Sequence, residues 1–330
     1  MPSAASRNPL IVADIGATNA RFGVIAAAGH PIEELRHFED DNFIEFEDCL
    51  AAYLQTLPTK PPKRIAIGAA GPLAHRTIKL TNRDWTIDPE RIRARFSVET
   101  HALVNDLVAM AAGIALAPSK AFQPLPGPLV ESARRSLVIA VGTGLGVAWF
   151  ERDDGKIRLH PTEAGHMSMA PISEADGQLL AALQHKLGHV SFETVVSGSG
   201  IPRVYAALDD HVTKKLATTE AVLAAAESGS DRLAGTVLDL ALVALATFAR
   251  DLVLALGGVD EIVFCGGLGL RLKSALSDRI FLRRLRDLSE VPIDFSHIGV
   301  RLALDDKLPL DGVANLAFGL INLPPARAEA

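Results

Sequence analysis

The chain has 330 residues, 48% of them hydrophobic, with 33 Lys plus Arg against 39 Asp plus Glu for a formal net charge of −6. That length suits about two domains with well-filled cores, and the acidic balance gives no electrostatic reason for a nucleic-acid or membrane partner. Cys49 and Cys265 stand far apart and belong to no paired zinc-type motif, so a reducing compartment fits best.

Short β-rich runs alternate with alanine-rich helical ones, the pattern of an α/β protein. The N-terminal stretch MPSAASRNPLIVAD lacks a signal-peptide core, because its apolar run is short and meets Asp14. Strands are predicted at 10–15 and 20–27, then a helix at 43–56, a strand at 64–69, a helix at 88–95, a strand at 102–104 and a helix at 106–116. The segment APSKAFQPLPGPLVESARRS, 117–136, carries four prolines and reads as the best linker. Beyond it come strands at 136–141 and 145–150, helices at 173–187, 199–208, 219–228 and 231–256, a strand at 261–265 and a helix at 312–322. The 231–256 helix opens near Asp231 and stops at Gly257-Gly258, both ordinary cap signals. Its greasy portion, Leu238 to Leu256, is interrupted by Asp239, Arg250 and Asp251, which argues for a buried core helix over a membrane span. A cytoplasmic protein is expected.

Two segments share a layout. LIVADIGATNARFGV and SLVIAVGTGLGVAWF each place an apolar strand, a Gly/Thr-bearing turn and a second apolar strand in the same order. The turn GTGLG, 142–146, suits phosphate because glycine lets backbone N–H groups approach an anion without a side chain between them. It has neither the Rossmann spacing nor the Walker pattern, so a dinucleotide oxidoreductase loses most of its support. Asp14 reads either as a turn cap or as a carboxylate for hydrated Mg²⁺ beside Thr18 and Asn19. Arg21, on the following strand, reads as structural. With CGGLGL at 265–270 there are three glycine-bearing strand ends, enough for two phosphate loops and one nucleoside-facing loop.

Polar residues elsewhere also have two readings. Asn105-Asp106, between a strand and a helix, makes a good N-cap and also offers a carboxylate base. Glu163 and His166 form an E-x-x-H, but Pro161 and Gly165 oppose the helix a di-iron site would need, leaving a loop that presents a carboxylate and an imidazole. Glu193 alone would pass for a solvated helical glutamate, and Trp85 for packing.

Taken together, DIGATNARFG, TNRDW (81–85), LVNDLVAMAAGI (103–114), VGTGLGVA (141–148), EAGH (163–166), FETVVSGSGI (192–201) and GGLG (266–269) resemble bacterial glucokinases in order and spacing. These are the ATP-dependent hexokinase-like group of the actin-like ATPase superfamily. The resemblance implies two α/β domains of ribonuclease H-like fold around a cleft, with a small domain at 1–116 plus 309–330 and a large one at 117–308. It implies that MgATP gives its γ-phosphoryl group to the 6-hydroxyl of D-glucose, the first step of glycolysis, with Asp106 as general base. The sugar would meet Asn82, Asn105, Asp106, Glu163, His166 and Glu193. The nucleotide would meet Asp14, Gly16, Ala17, Thr18, Asn19, Gly142, Thr143, Gly144, Gly266 and Gly267, with Asp14 holding Mg²⁺ through water. A homodimer is expected. The chain departs from common family forms at Ala164, where glycine is frequent, at Ser199, where proline is, and at Leu107, where phenylalanine is; none removes a functional group. A related zinc-containing sugar kinase and repressor group is disfavoured by its missing cysteine cluster. Alternatives are a kinase for another hexose or an amino sugar, and a sugar-sensing regulator, which the intact Asp106 disfavours.

Overall fold

The computed structural model describes residues 9–16, 18–81, 83–171, 173–208, 216–286 and 293–324. The chain divides into two compact units, one of Met1–Ser119, Phe150–Pro161 and Asp305–Ala330, the other of Lys120–Trp149 and Thr162–Leu304.

The first unit contains β1 (Leu10–Ile15), β2 (Asn19–Ile25), β3 (Ile32–Glu39), β4 (Arg64–Ala69), β5 (Leu73–Ala74), β6 (Thr77–Lys79), β7 (Thr86–Ile87) and β8 (Glu99–Asn105). One sheet has the order β3-β2-β1-β4-β8, and β5, β6 and β7 form a small sheet of their own. β1 is antiparallel to β2 and parallel to β4, which is parallel to β8. Every residue of β1 is buried, which is why LIVADI reads as a continuous apolar run broken by one aspartate. Helices α1 (Phe46–Thr56), α2 (Pro89–Phe96) and α3 (Asp106–Leu116) follow strands of this unit. α2 starts with Pro89 behind an Asp88 cap that accepts from the Glu90 amide, and it stops at Ser97 in the left-handed region, φ 53°.

The second unit is built on β9 (Phe122–Pro124), β10 (Arg135–Val141), the first residues of β11 (Leu145–Asp153), β13 (Glu261–Cys265) and β14 (Gly299–Ala303), in the sheet order β11-β10-β13-β14-β9; the rest of β11 and nearly all of β12 (Lys156–Thr162), its neighbour in the sheet, count with the first unit. Its helices are α4 (Glu174–Leu187), α5 (Phe192–Val196), α6 (Gly200–Leu208), α7 (Thr219–Glu227), α8 (Arg232–Ala255), α9 (Gly267–Arg271), α10 (Lys273–Leu276) and α11 (Arg279–Arg286). Asp231 caps α8 by accepting from the Ala234 amide, and Gly257 and Gly258 end it at φ 67° and 105°. α8 packs half its length into the core, and no helix among the described residues is long and apolar enough to cross a membrane.

The last helix, α12 (Leu308–Ala317), belongs to the first unit and lies against α3. A Cβ at Gly113 would come within 1.9 Å of the Leu308 carbonyl oxygen, and one at Gly312 within 1.8 Å of that of Ala109. Glycine at both positions therefore lets two backbones touch, and the nearly all-apolar α3 is sealed from water along most of its length.

Several expectations need correction. The helix expected at 312–322 begins at Leu308, because Pro309 fits a helix's first turn, and it ends at Ala317. The proline-rich 117–136 is not all linker: Phe122–Pro124 pairs antiparallel with β14 as an edge strand, the one sheet position where a missing N–H costs nothing. β3, β12 and β14 and helices α9 to α11 add elements that the pattern did not mark.

Candidate active site

In the first unit the polar groups stand at the carboxyl ends of parallel strands. Register places Asp14 opposite Gly68 and Ala69 opposite Asn105, so Asp14 and Asn105 flank β4 from either side. Two interstrand spacings separate β1 from β8, about 10 Å. Asp14 is buried and ion-paired with Arg21, its register partner across the hairpin, whose Nε donates to Oδ2 at 3.1 Å. Arg21 also donates to the Asp306 carbonyl at 2.7 Å, so it is held from both ends as a structural cation. Burial is the larger influence on Asp14 and raises its pKa above the usual carboxylate value in spite of Arg21.

The adjoining turn is closed by Gly16 N–H to the Asn19 carbonyl at 2.9 Å, and Asn19 Nδ2 donates to Thr18 Oγ1 at 2.9 Å. The Thr18 carbonyl accepts from the Asp40 amide at 3.0 Å, a brace from the end of β3 that no local signal in the sequence marked. Ala17 and Asn82 lie outside the described residues.

At the head of α3 the two readings of Asn105-Asp106 separate. Asn105 is the cap: its Oδ1 accepts from the Leu107 amide at 2.8 Å, while its Nδ2 donates to the Gly71 carbonyl at 3.1 Å. Asp106 is left in the first turn, open to solvent, with one oxygen accepting from the Leu107 amide at 2.9 Å. Its carboxyl meets water but is crowded by protein, and that desolvation, with a smaller push from the Asp14 charge, raises its pKa to about 6.

The second unit gathers a different set. Glu163, His166 and Glu193 converge: His166 Nε2 lies 3.9 Å from Glu163 Oε2, and Nδ1 lies 3.8 Å from Glu193 Oε1. Ala164–His166 form a single 3₁₀ turn, not an α-helix. Gly165 is buried there, and a Cβ on it would sit 2.0 Å from the Leu145 carbonyl oxygen. The Leu145 amide in turn donates to Glu193 Oε2 at 2.9 Å. The first residue of β11 thus holds both sides of the cluster, and Ser191 and Thr194 close a capping box that fixes the start of α5.

The glycine loop 142–144 sits at the carboxyl end of β10, next to the 266–267 turn at the end of its parallel partner β13, with Ala140 opposite Cys265. Gly142 N–H bonds the Gly144 carbonyl at 3.0 Å, and the amides of Gly198 and Ser199 donate to the carbonyls of Gly142 and Thr143 at 2.8 and 3.1 Å. A Cβ on Gly144 would lie 2.7 Å from Glu193 Oε2, so this glycine makes room for a carboxylate as well as for any phosphate. Gly266 has φ 90° and would put a Cβ 2.5 Å from the Val141 carbonyl, whereas Gly267, the first residue of α9, has open space. Among the described residues no group of three His, Cys, Asp or Glu side chains is arranged to hold a metal ion.

The glucokinase family model matches residues 11–319. A glucokinase of Nitrobacter hamburgensis is 31% identical over 310 residues, covering 93% of this chain and 96% of that protein. A crystal structure of glucokinase from an Antarctic psychrotroph superposes with a TM-score of 0.82 at 28% identity, covering 94% of this chain and 99% of that one. A ROK family glucokinase from Streptomyces griseus, solved in complex with glucose and AMPPNP, shares the fold with a TM-score of 0.61 at 20% identity, covering 93% and 98%. The architecture is the two-domain actin-like ATPase fold, and the chain belongs to the glucokinase family of ATP-dependent hexose kinases.

Proposed function

We propose that this protein moves the γ-phosphoryl group of ATP to the 6-hydroxyl of D-glucose, giving glucose 6-phosphate and ADP and so feeding glycolysis, with Asp106 taking the hydroxyl proton. The observation that carries this reading is the division of labour at α3. Asn105 does the capping, and Asp106 keeps a carboxylate whose pKa of about 6 leaves it ionised at neutral pH yet more basic than an ordinary aspartate. Asn105 retains a second Nδ2 hydrogen for a sugar oxygen. Glu163, His166 and Glu193 supply acceptors and a donor for ring hydroxyls, as their mutual spacing allows.

Phosphoryl transfer needs donors on the phosphates more than covalent chemistry. The amides of Gly16 and Gly142 are engaged within their own turns, so the second unit offers phosphate oxygens the amides of Thr143 and Gly144, and the first unit, taken by itself, the side chains of Thr18 and Asn19. Mg²⁺ fits the same chemistry. One Asp14 oxygen carries Arg21 and the other is left over, which suits an ion that keeps several waters and takes only one or two carboxylates. When bound, the ion would neutralise phosphate charge. The test is a coupled assay with ATP and a panel of glucose, mannose, fructose, galactose and N-acetylglucosamine. Turnover led by glucose is expected; a lead for another sugar would displace glucose as substrate, and sugar binding without product would make the protein a sensor.

A further inference from the structure

In the second unit a loop at Ser197–Gly200, between α5 and α6, is joined to the glycine loop 142–144 peptide group by peptide group. The Thr219 hydroxyl donates to the Gly198 carbonyl, and the other end of that same peptide group, the Ser199 amide, donates to the Thr143 carbonyl at 3.1 Å. The Thr143 carbonyl in turn shares its peptide group with the Gly144 amide. A second row runs beside the first: the amides of Gly200 and Ile201 each donate to the Ser197 carbonyl at 3.0 Å, and the Gly198 amide of that peptide donates to the Gly142 carbonyl at 2.8 Å, whose peptide group ends in the Thr143 amide. We propose that Ser199 and Thr219 are positioning residues for the nucleotide, which through the first row aim and strengthen the Gly144 amide as a donor to phosphate. This rests on the reading that the Thr143 and Gly144 amides meet phosphate.

A planar trans peptide points its C=O and its N–H in opposite directions, so a donor on the oxygen draws electrons toward it and leaves the amide hydrogen more positive. Two peptide groups in series carry that effect from the Thr219 hydroxyl to the Gly144 N–H. Thr219 is spared for the task because its neighbour does the capping: Thr218 Oγ1 accepts from the Ala221 amide at 3.2 Å at the head of α7. Thr219 is also buried, so water does not compete for its bond. Gly198 lets the two loops lie close, since a Cβ on it would sit 3.0 Å from the Gly142 carbonyl oxygen. The residue at 199 decides whether the first row exists. Proline, frequent there in common family forms, has no N–H to give to Thr143 and would end the first row while leaving the second, which uses the Gly198 amide. Ser199 therefore gives this chain a donor that the proline form lacks.

The experiment pairs calorimetry of the full-length protein with AMPPNP and Mg²⁺ with the NMR resonance of the Gly144 amide. Strengthening a hydrogen bond to a charged oxygen by about 10–30% is worth about two- to fivefold in affinity. Ser199→Pro and Thr219→Val should therefore each weaken AMPPNP about two- to fivefold and move the Gly144 amide proton upfield. Ser199→Ala, which gives up the hydroxyl contact with Ser197 but keeps the N–H, should match the natural protein in both readouts, as should Thr219→Ser, which keeps the donor. Because both residues act through one row, Thr219→Val should add little to Ser199→Pro, whereas two independent structural losses would multiply. If Thr219→Val fails to fold, the comparison of Ser199→Pro with Ser199→Ala still decides. A Gly144 resonance that AMPPNP leaves unmoved in the natural protein overturns the phosphate reading and this inference together. A resonance that AMPPNP does move, with Ser199→Pro binding AMPPNP as the natural protein does or with losses that multiply in full, overturns the positioning role alone.

Discussion

Replacing Asp106 with Asn tests base and cap in one step, because the two roles predict opposite changes in stability. A pKa of about 6 means that roughly half the carboxyl is ionised at pH 6, about nine-tenths at pH 7 and about one-tenth at pH 5. The kcat/KM of the natural protein should therefore fall about tenfold between pH 7 and pH 5, whereas an aspartate at its ordinary value would lose almost nothing over that range. Asp106→Asn should lower kcat by roughly 10²- to 10⁴-fold and abolish this limb. Stability should move the other way. A folded pKa raised above the unfolded one means that the native state binds the extra proton, so stability is lost as pH rises from about 4 through 6, and the ionised Asp106 is a burden at pH 7. The neutral amide removes that burden, so the variant should melt higher at pH 7 and no higher at pH 4. Steady-state rates from pH 5 to 8 beside thermal melts at pH 4 and 7 decide the matter. A variant that melts lower at pH 7 and turns over normally would mean that Asp106 only supports the helix.

Gly144→Val should raise the KM for sugar about tenfold or more as well as that for ATP, because its Cβ meets Glu193 Oε2, while Gly142→Ala, with nothing within 4 Å, should affect ATP alone; equal sugar constants in both variants refute the link. His166→Ala and Glu163→Gln should weaken glucose and narrow the preference over mannose more than that over galactose, each polar group left unpaired once a bound sugar covers it costing roughly 1–3 kcal/mol; kinetics on the three sugars would show equal losses at C2 and C4 if the loop does not read the ring in this way. Gly312→Val should destabilise by about 3 kcal/mol or more by driving α12 off Ala109, whereas Gly235→Ala on α8, where a Cβ meets open space, should stabilise by about 0.5–1 kcal/mol; denaturant melts that ranked them equally would disprove the tight helix contact.

The fold was legible where burial is uniform and caps are local. β1 runs over the predicted 10–15 because both its faces are covered, α3 over 106–116 because Asn105 marks its start, and α8 between Asp231 and a glycine pair. β3 was not legible: IEELRHFE is an edge strand with Glu33, Arg36, His37 and Glu39 exposed, so hydrophobicity never alternates cleanly. The candidate residues were legible as motifs, but their division of labour was not. Which of Asn105 and Asp106 caps depends on a hydrogen bond to Gly71, 34 positions away, and the basicity of Asp106 on crowding and on Asp14 beyond β4. Gly144 likewise looked like a phosphate glycine alone, because nothing near it in sequence announces Glu193.

The glycine contact between α3 and α12 also sets an order in time. About 200 residues separate Gly113 from Gly312, so a ribosome adding about 5–20 residues per second exposes α3 some 10–40 s before its partner exists. Until then Gly113 has no backbone to lie against, and the helix that carries Asp106 lacks the neighbour that covers it. The second unit, whose strands and helices all come earlier than α12, has no such wait. If Glu163, His166 and Glu193 read the sugar and Asp106 is the base, as proposed, a nascent chain would complete the former while α3 still lacked its cover, and turnover would wait until synthesis had passed α12.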